Sequence, residues 1–279
     1  MPKSLALFCK FITKMKTTKN IGLVLSGGGF RGVAHIGAMQ ALEEAGIIAG
    51  FVSGTSAGAI VGSLYAGGYS PKTIKDFFKN TPLFTFNRFT RKKPGFLDTE
   101  KFYTDLLAYF PENSFESLQK KLFVTATDLI EGKTKVFNTG ELIKPLLASA
   151  AFPGVFTPVM INNELYADGG ILDNFPVTPL KKHCNLIIGV DVSPIKKPKI
   201  SDFKHSYNVM QRAYYLRAMP NGETKFNQCD IIIQPKELIH HSVFNPSSLD
   251  KVYEYGYQEA KLQLQSFFKK QENDTGNKN

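Results

Sequence analysis

From Ile21 onward, short apolar runs alternate with helical patterns, and this alternation limits the chain more than any other feature. Repeated strand–helix units predict an α/β fold with a mainly parallel central sheet and helices on both faces, a three-layer sandwich. Ile21–Leu25 is the first expected strand, feeding a helix over about Arg31–Ala45; a second strand ends near Ser53 and enters a small-residue helix to about Ala66. Leu122–Ala126, Leu186–Val192 and Asp230–Gln234 are further buried-strand candidates. Val159–Ile161 and Glu164–Ala167 form a hairpin across Asn162-Asn163, since asparagine tolerates positive φ. Helices are expected over about Pro71–Lys79, Thr99–Tyr109, Glu141–Ala150, Phe203–Arg217 and Leu249–Phe268. No internal repeat or long linker divides the 279 residues. The expected organisation is a basic N-terminal extension over 1–20, one α/β domain over 21–268 and an unstructured polar tail over 269–279.

Two turns between strand and helix carry the chemistry. Gly54-Thr55-Ser56-Ala57-Gly58 is a G-x-S-x-G, a turn that exposes a serine Oγ above the sheet, with Gly54 and Gly58 allowing close helix–strand packing. A small-residue packing turn is the plain alternative. Gly27-Gly28-Gly29-Phe30-Arg31-Gly32 fits G-x-G-x-x-G, but the acidic ribose-binding residue of a dinucleotide fold is replaced at the end of the next strand by the Ser56 turn. Amides converging at a helix start can equally hold the oxyanion of a tetrahedral intermediate, a nucleotide phosphate, or nothing. Arg31 either adds positive charge there or is solvated.

A nucleophilic Ser56 needs a base. His183, His205, His240 or His241 would complete a Ser-Asp-His triad, although only one strand–helix unit precedes Ser56; His35, inside the first helix, reads as a packed histidine. Asp168 follows the hairpin and precedes Gly169-Gly170, which lets the chain crowd a site; an ordinary Asp-Gly turn fits the local sequence equally well.

Taken in order, strand–GGGFRG–helix, GTSAG on the second strand, ASAAFPGVF over Ala148–Phe156 and a distant DGG resemble the patatin-like phospholipase family over about Ile21–Val192. The resemblance implies a Ser56–Asp168 dyad, an oxyanion hole at Gly27, Gly28 and Gly29, and hydrolysis of lipid acyl esters without metal or other cofactor. Arg31, Gly32, Gly54, Gly58, Gly169 and Gly170 match supporting motif positions. Many members have Asp-Gly-Ala where this chain has Asp168-Gly169-Gly170. An esterase or acyltransferase on the same dyad, and a non-catalytic lipid- or nucleotide-binding module, are the rival readings.

Composition adds a partner. The net charge is +10, and 23 Phe accompany 11 Tyr and no Trp. Residues 1–20 carry five lysines and no acid, with Leu5, Phe8, Phe11, Ile12 and Met15 along one helical side. Met15 also offers a plausible start, which would make residues 1–14 an upstream extension. Between 72 and 93, Lys72, Lys75, Lys79, Arg88, Arg91, Lys92 and Lys93 alternate with Phe77, Phe78, Phe84, Phe86 and Phe89. Both stretches suit peripheral contact with anionic phospholipid; nucleic acid is a weaker match, and core phenylalanines beneath solvated charges are the plain alternative. The odd set Cys9, Cys184 and Cys229 has no paired spacing, which fits a reducing, cytoplasmic setting, and no apolar run is long enough to span a bilayer.

Overall fold

A computed structural model of the chain describes residues 20–81, 100–194, 197–241 and 248–276. Eight strands form one sheet: β1 (Ile21–Leu25), β2 (Phe51–Thr55), β3 (Lys121–Asp128), β4 (Lys133–Phe137), β5 (Val159–Ile161), β6 (Glu164–Asp168), β7 (Leu186–Val190) and β8 (Ile231–Ile233). Hydrogen-bonded neighbours follow the path β5-β6-β3-β2-β1-β7-β8, with β2 and β6 end to end on one edge of β3 and β4 on its other edge. The run from β3 to β8 is parallel, and β4 and β6 add to β3 antiparallel.

Along β1 the apolar residues divide by parity, as a strand buried on both faces requires. Ile21, Leu23 and Leu25 join the large core with α1 (Val33–Glu44), α2 (Ala57–Ala66), α3 (Pro71–Asn80), α4 (Glu100–Leu107), α5 (Ile143–Ser149) and α7 (Leu249–Gly276). Val24 faces the other way, into a smaller cluster with Phe123, Phe175, Val177, Leu180 and Ile187. This second face is covered by the segment after β6 and by Phe226, the last residue of α6 (Ser206–Phe226). Among the described residues, no helix is long and apolar enough to cross a membrane.

The expected elements are present, with three differences. β4 is an added strand: its Lys133-Thr134-Lys135 start is exposed and carries no apolar alternation, and β3's free edge alone recruits it through a turn at Gly132. α6 extends past Arg217 to Phe226. α7 continues through the expected tail to Gly276, because Lys269, Lys270, Gln271 and Glu272 are good helix formers with no breaker before Gly276.

Of the two basic segments, only residues 72–81 and Asn20 lie among the described residues. Phe77 and Phe78 are buried in the core, so neither meets a lipid surface. Lys72 pairs with Asp76, and Lys75 pairs with Asp250 while lying over the Tyr253 ring. Residues 1–19, and Phe84, Phe86, Arg88, Phe89, Arg91, Lys92 and Lys93, lie outside the described residues.

Candidate active site

Ser56 sits where β2 ends and α2 begins, with φ 54° and ψ −124°. Positive φ is costly for a residue with a Cβ, on the order of 1–3 kcal/mol, so the surrounding packing must hold it. Ser149 supplies part of that hold: its Oγ accepts the Ser56 amide at 2.8 Å and donates to Thr125 O at 2.6 Å. Ser149, fully buried at the end of α5, thereby ties the Ser56 turn to β3. Gly58 lets α2 begin directly against β1, since a Cβ there would strike the Leu25 and Ser26 backbone. Gly54 lies within β2, and Gly32 closes the turn after β1 against Ala57.

Asp168 ends β6 and is 1% exposed. Its Oδ2 accepts the Ser56 hydroxyl at 2.6 Å; its Oδ1 accepts the Gly170 amide at 2.8 Å and the Tyr214 hydroxyl at 3.1 Å. Thr127 Oγ1 donates to the Asp168 carbonyl at 2.9 Å and fixes the backbone. Burial pushes the Asp168 pKa up from 3.8 to about 6, against the three hydrogen bonds, which favour the carboxylate. Tyr214 is driven well above the ordinary tyrosine value, by burial first and by the neighbouring carboxylate second, and so remains a donor. Gly169 and Gly170 follow as expected. A methyl at Gly170 would collide with the Tyr214 hydroxyl.

The glycine loop leaves β1 beside this pair. Gly27, Gly28 and Gly29 line a cavity of about 30 Å³ with Ser56, Asp168, Asn174, Tyr214 and Tyr215. Gly27 differs from its expected role. Its amide donates to Asn174 O at 3.1 Å, so it anchors the loop, and a side chain there would meet Ser56 Cβ. The Gly28 and Gly29 backbone is left facing the cavity. Asn174 also reaches Gly27 O and Ser193 Oγ, bracing the loop from the segment that follows Asp168. Arg31 is half-buried and does not line this cavity. Its guanidinium donates to His241 O at 2.8 Å and Pro194 O at 3.2 Å, and burial lowers its pKa.

The histidines take other roles. His35 is fully buried with Nε2 2.8 Å from Ser26 O, and burial lowers its pKa to about 4, which keeps it neutral. His183 stacks on Phe51 and Phe123, at the opposite ends of the strands from Ser56. His205 precedes α6, His240 is exposed, and His241 Nδ1 meets Ser248 Oγ. Among the described residues, no group of three or more His, Cys, Asp or Glu could hold a metal ion. Ser149, Asn174 and Tyr214 went unassigned in the sequence. Ser149 does lie inside the ASAAFPGVF motif, which offered a signal; Tyr214 and Asn174 had none.

A sequence model described as patatin-like phospholipase matches residues 23–181. The chain is 31% identical over 191 residues to Lysophospholipase NTE1 of Meyerozyma guilliermondii, covering 66% of this chain and 13% of that protein. It is 29% identical over 188 residues to Lysophospholipase NTE1 of Saccharomyces cerevisiae, covering 65% and 11%. The chain thus spans only about an eighth of the length of these relatives. The crystal structure of VipD from Legionella pneumophila shares the fold, with a TM-score of 0.58 at 18% identity over 89% of this chain and 67% of that one. With its motifs set on adjoining strand ends and more than half its length matched by one family, the chain belongs to the patatin-like phospholipases.

Proposed function

We propose that this chain is a lipid acyl hydrolase of phospholipase A or lysophospholipase type, acting through a Ser56–Asp168 dyad. The observation that carries the reading is the 2.6 Å hydrogen bond from the Ser56 hydroxyl to a buried carboxylate with a raised pKa. A carboxylate in water is too weak a base to draw a serine proton, and burial raises its basicity toward neutral pH.

As Ser56 Oγ attacks an ester carbonyl, its proton passes to Asp168 Oδ2, and the carbonyl oxygen becomes an oxyanion beside the Gly28, Gly29 and Ala57 amides at the start of α2. The C–O bond to the alcohol breaks, and the departing alkoxide takes the proton from Asp168. Water then gives its proton to the freed carboxylate while attacking the acyl-Ser56 ester, and collapse of the second intermediate returns that proton to Ser56 and releases fatty acid. Gly170 and Tyr214 hold Oδ1 throughout, so Oδ2 alone faces the serine. The names of the NTE1 relatives point to lysophospholipids as the first substrates to try.

Mass-spectrometric analysis of products from mixed phospholipids and lysophospholipids tests the proposal. The native chain releases free fatty acid, and Ser56→Ala and Asp168→Asn each lower the release at least about 10³-fold. Fatty acid release that survives Ser56→Ala at the native rate refutes the dyad. Acyl product appearing mainly on a non-water acceptor makes the chain a transferase.

A further inference from the structure

Between Asn208 and Arg217, α6 is turned inside out. Val209 (55% exposed), Met210 (53%) and Leu216 (49%), with Ala213, occupy its outward face, while Asn208, Gln211, Tyr214 and Tyr215 are the more enclosed residues. Their spacing, 209, 213 and 216 with 210 one row aside, makes one continuous stripe on a helix. Ordinary surface helices show the reverse pattern, so an outward apolar stripe marks a surface that something covers.

The turn before the helix continues the stripe with Ile200, 94% exposed, and Phe203, 38% exposed. Exposed Lys197, Lys199 and Lys204 and, at the far end of the stripe, exposed Arg217 surround these side chains, against one exposed acid among the described residues of 197–217, Asp202. α6 is held from below at its C-terminal end. Lys225 pairs with Asp173 at 2.6 Å, and Phe226 packs on Phe175.

We infer that the outward face of α6, together with Ile200 and Phe203, is a docking surface for an anionic phospholipid bilayer. Apolar side chains flanked by lysine and arginine match the acyl boundary and the phosphate layer above it. The position argues for the same occupant. Tyr214 and Tyr215 on the inward side of this helix line the catalytic cavity, so a bilayer seated on the outward side lies one helix away from Ser56. The inference deepens the lipid-hydrolase reading and rests on it for the choice of a lipid surface. It adds a described, exposed face to the expected contacts, in place of the buried Phe77 and Phe78.

The test is co-sedimentation of the full chain with vesicles of phosphatidylcholine alone or mixed with phosphatidylglycerol. It compares the native protein, the triple variant Val209→Ser/Met210→Ser/Leu216→Ser and Ser56→Ala. Partitioning onto mixed vesicles falls at least about ten-fold in the triple variant, as expected for removing three inserted side chains. It is unchanged in Ser56→Ala, and the native chain binds the mixed vesicles more tightly than the neutral ones. Hydrolysis of a soluble short-chain ester by the triple variant, within about two-fold of native, shows that the fold and dyad are intact. A triple variant that partitions like the native chain overturns the inference. So does a native chain that sediments as a dimer through this face while the substitutions leave vesicle binding alone. Failure of the native chain to hydrolyse any ester, with vesicle binding still lost in the triple variant, removes the hydrolase reading and leaves the docking surface standing.

Discussion

Ser56 and Asp168 meet because two strands run head-on along one edge of β3. Thr55, the last residue of β2, is the register partner of Thr125; Asp168, the last of β6, is the partner of the next residue, Ala126. β4 takes the other edge over the same stretch, pairing Thr125 with Val136 and Ala126 with Lys135. Backbone pairing alone therefore brings the end of a parallel strand and the end of an antiparallel strand together. The 2.6 Å hydrogen bond spans the gap between them.

A carboxylate that must be ionised to act, with a pKa near 6, sets an acid limb on activity. We expect kcat/KM on a soluble ester to fall about ten-fold per pH unit below about pH 6 and to level off above it. A profile flat down to pH 4.5 would contradict Asp168 as the base.

The same burial has a stability consequence. Because the folded-state pKa of Asp168 lies above its ordinary 3.8, the folded protein holds the proton more tightly, and stability is lost as pH rises through about 6. Asp168→Asn removes that penalty, on the order of 2–3 kcal/mol at pH 8. Thermal melts should show the inactive variant a few degrees more stable than native at pH 8, with the difference shrinking toward pH 4.

Under the proposed mechanism Tyr214 tunes the base through its hydroxyl. Its hydrogen bond favours the Asp168 carboxylate, so Tyr214→Phe should move the acid limb of the pH–rate profile upward, by up to about one pH unit. An unshifted limb would reduce Tyr214 to packing.

Gly170 and Tyr214 should behave as a coupled pair. Gly170→Ala alone should cost about 10- to 100-fold in kcat/KM by displacing the hydroxyl and the carboxylate it holds. Combining it with Tyr214→Phe should cost less than the sum of the two single changes, which a double-mutant cycle on kcat/KM measures. Additive losses would show that the two positions do not communicate.

Ser149 supports the strained turn from beneath. Ser149→Ala leaves the buried Ser56 amide without its acceptor and the Thr125 carbonyl without its donor, a loss of about 1–3 kcal/mol in unfolding free energy that denaturant melts can read.

The sheet and its order of elements, and the Ser56 turn, were legible because each left a local mark: an apolar run, a helical period, or a glycine turn next to a reactive side chain. Asp168 carried less information locally, and only its company with Ser56 and the glycine loop distinguished it from an ordinary Asp-Gly turn. β4 left no mark, since its start is exposed and hydrogen bonds to β3 alone place it. Tyr214 and Asn174 reach the site across long sequence separations, from a helix and a loop whose local patterns say nothing about Asp168 or Gly27. Phe77 and Phe78 misled in the opposite direction. Alternation with lysine looked interfacial, but helix α3 turns both rings into the core.

The most direct test of the dyad is covalent labelling of the native, folded chain with a fluorophosphonate, followed by peptide mass spectrometry. A single phosphonyl adduct on Ser56 is expected, absent in Ser56→Ala and formed at least about 10²-fold more slowly in Asp168→Asn. A folded protein that remains unlabelled at Ser56, or one labelled equally fast without Asp168, would contradict it.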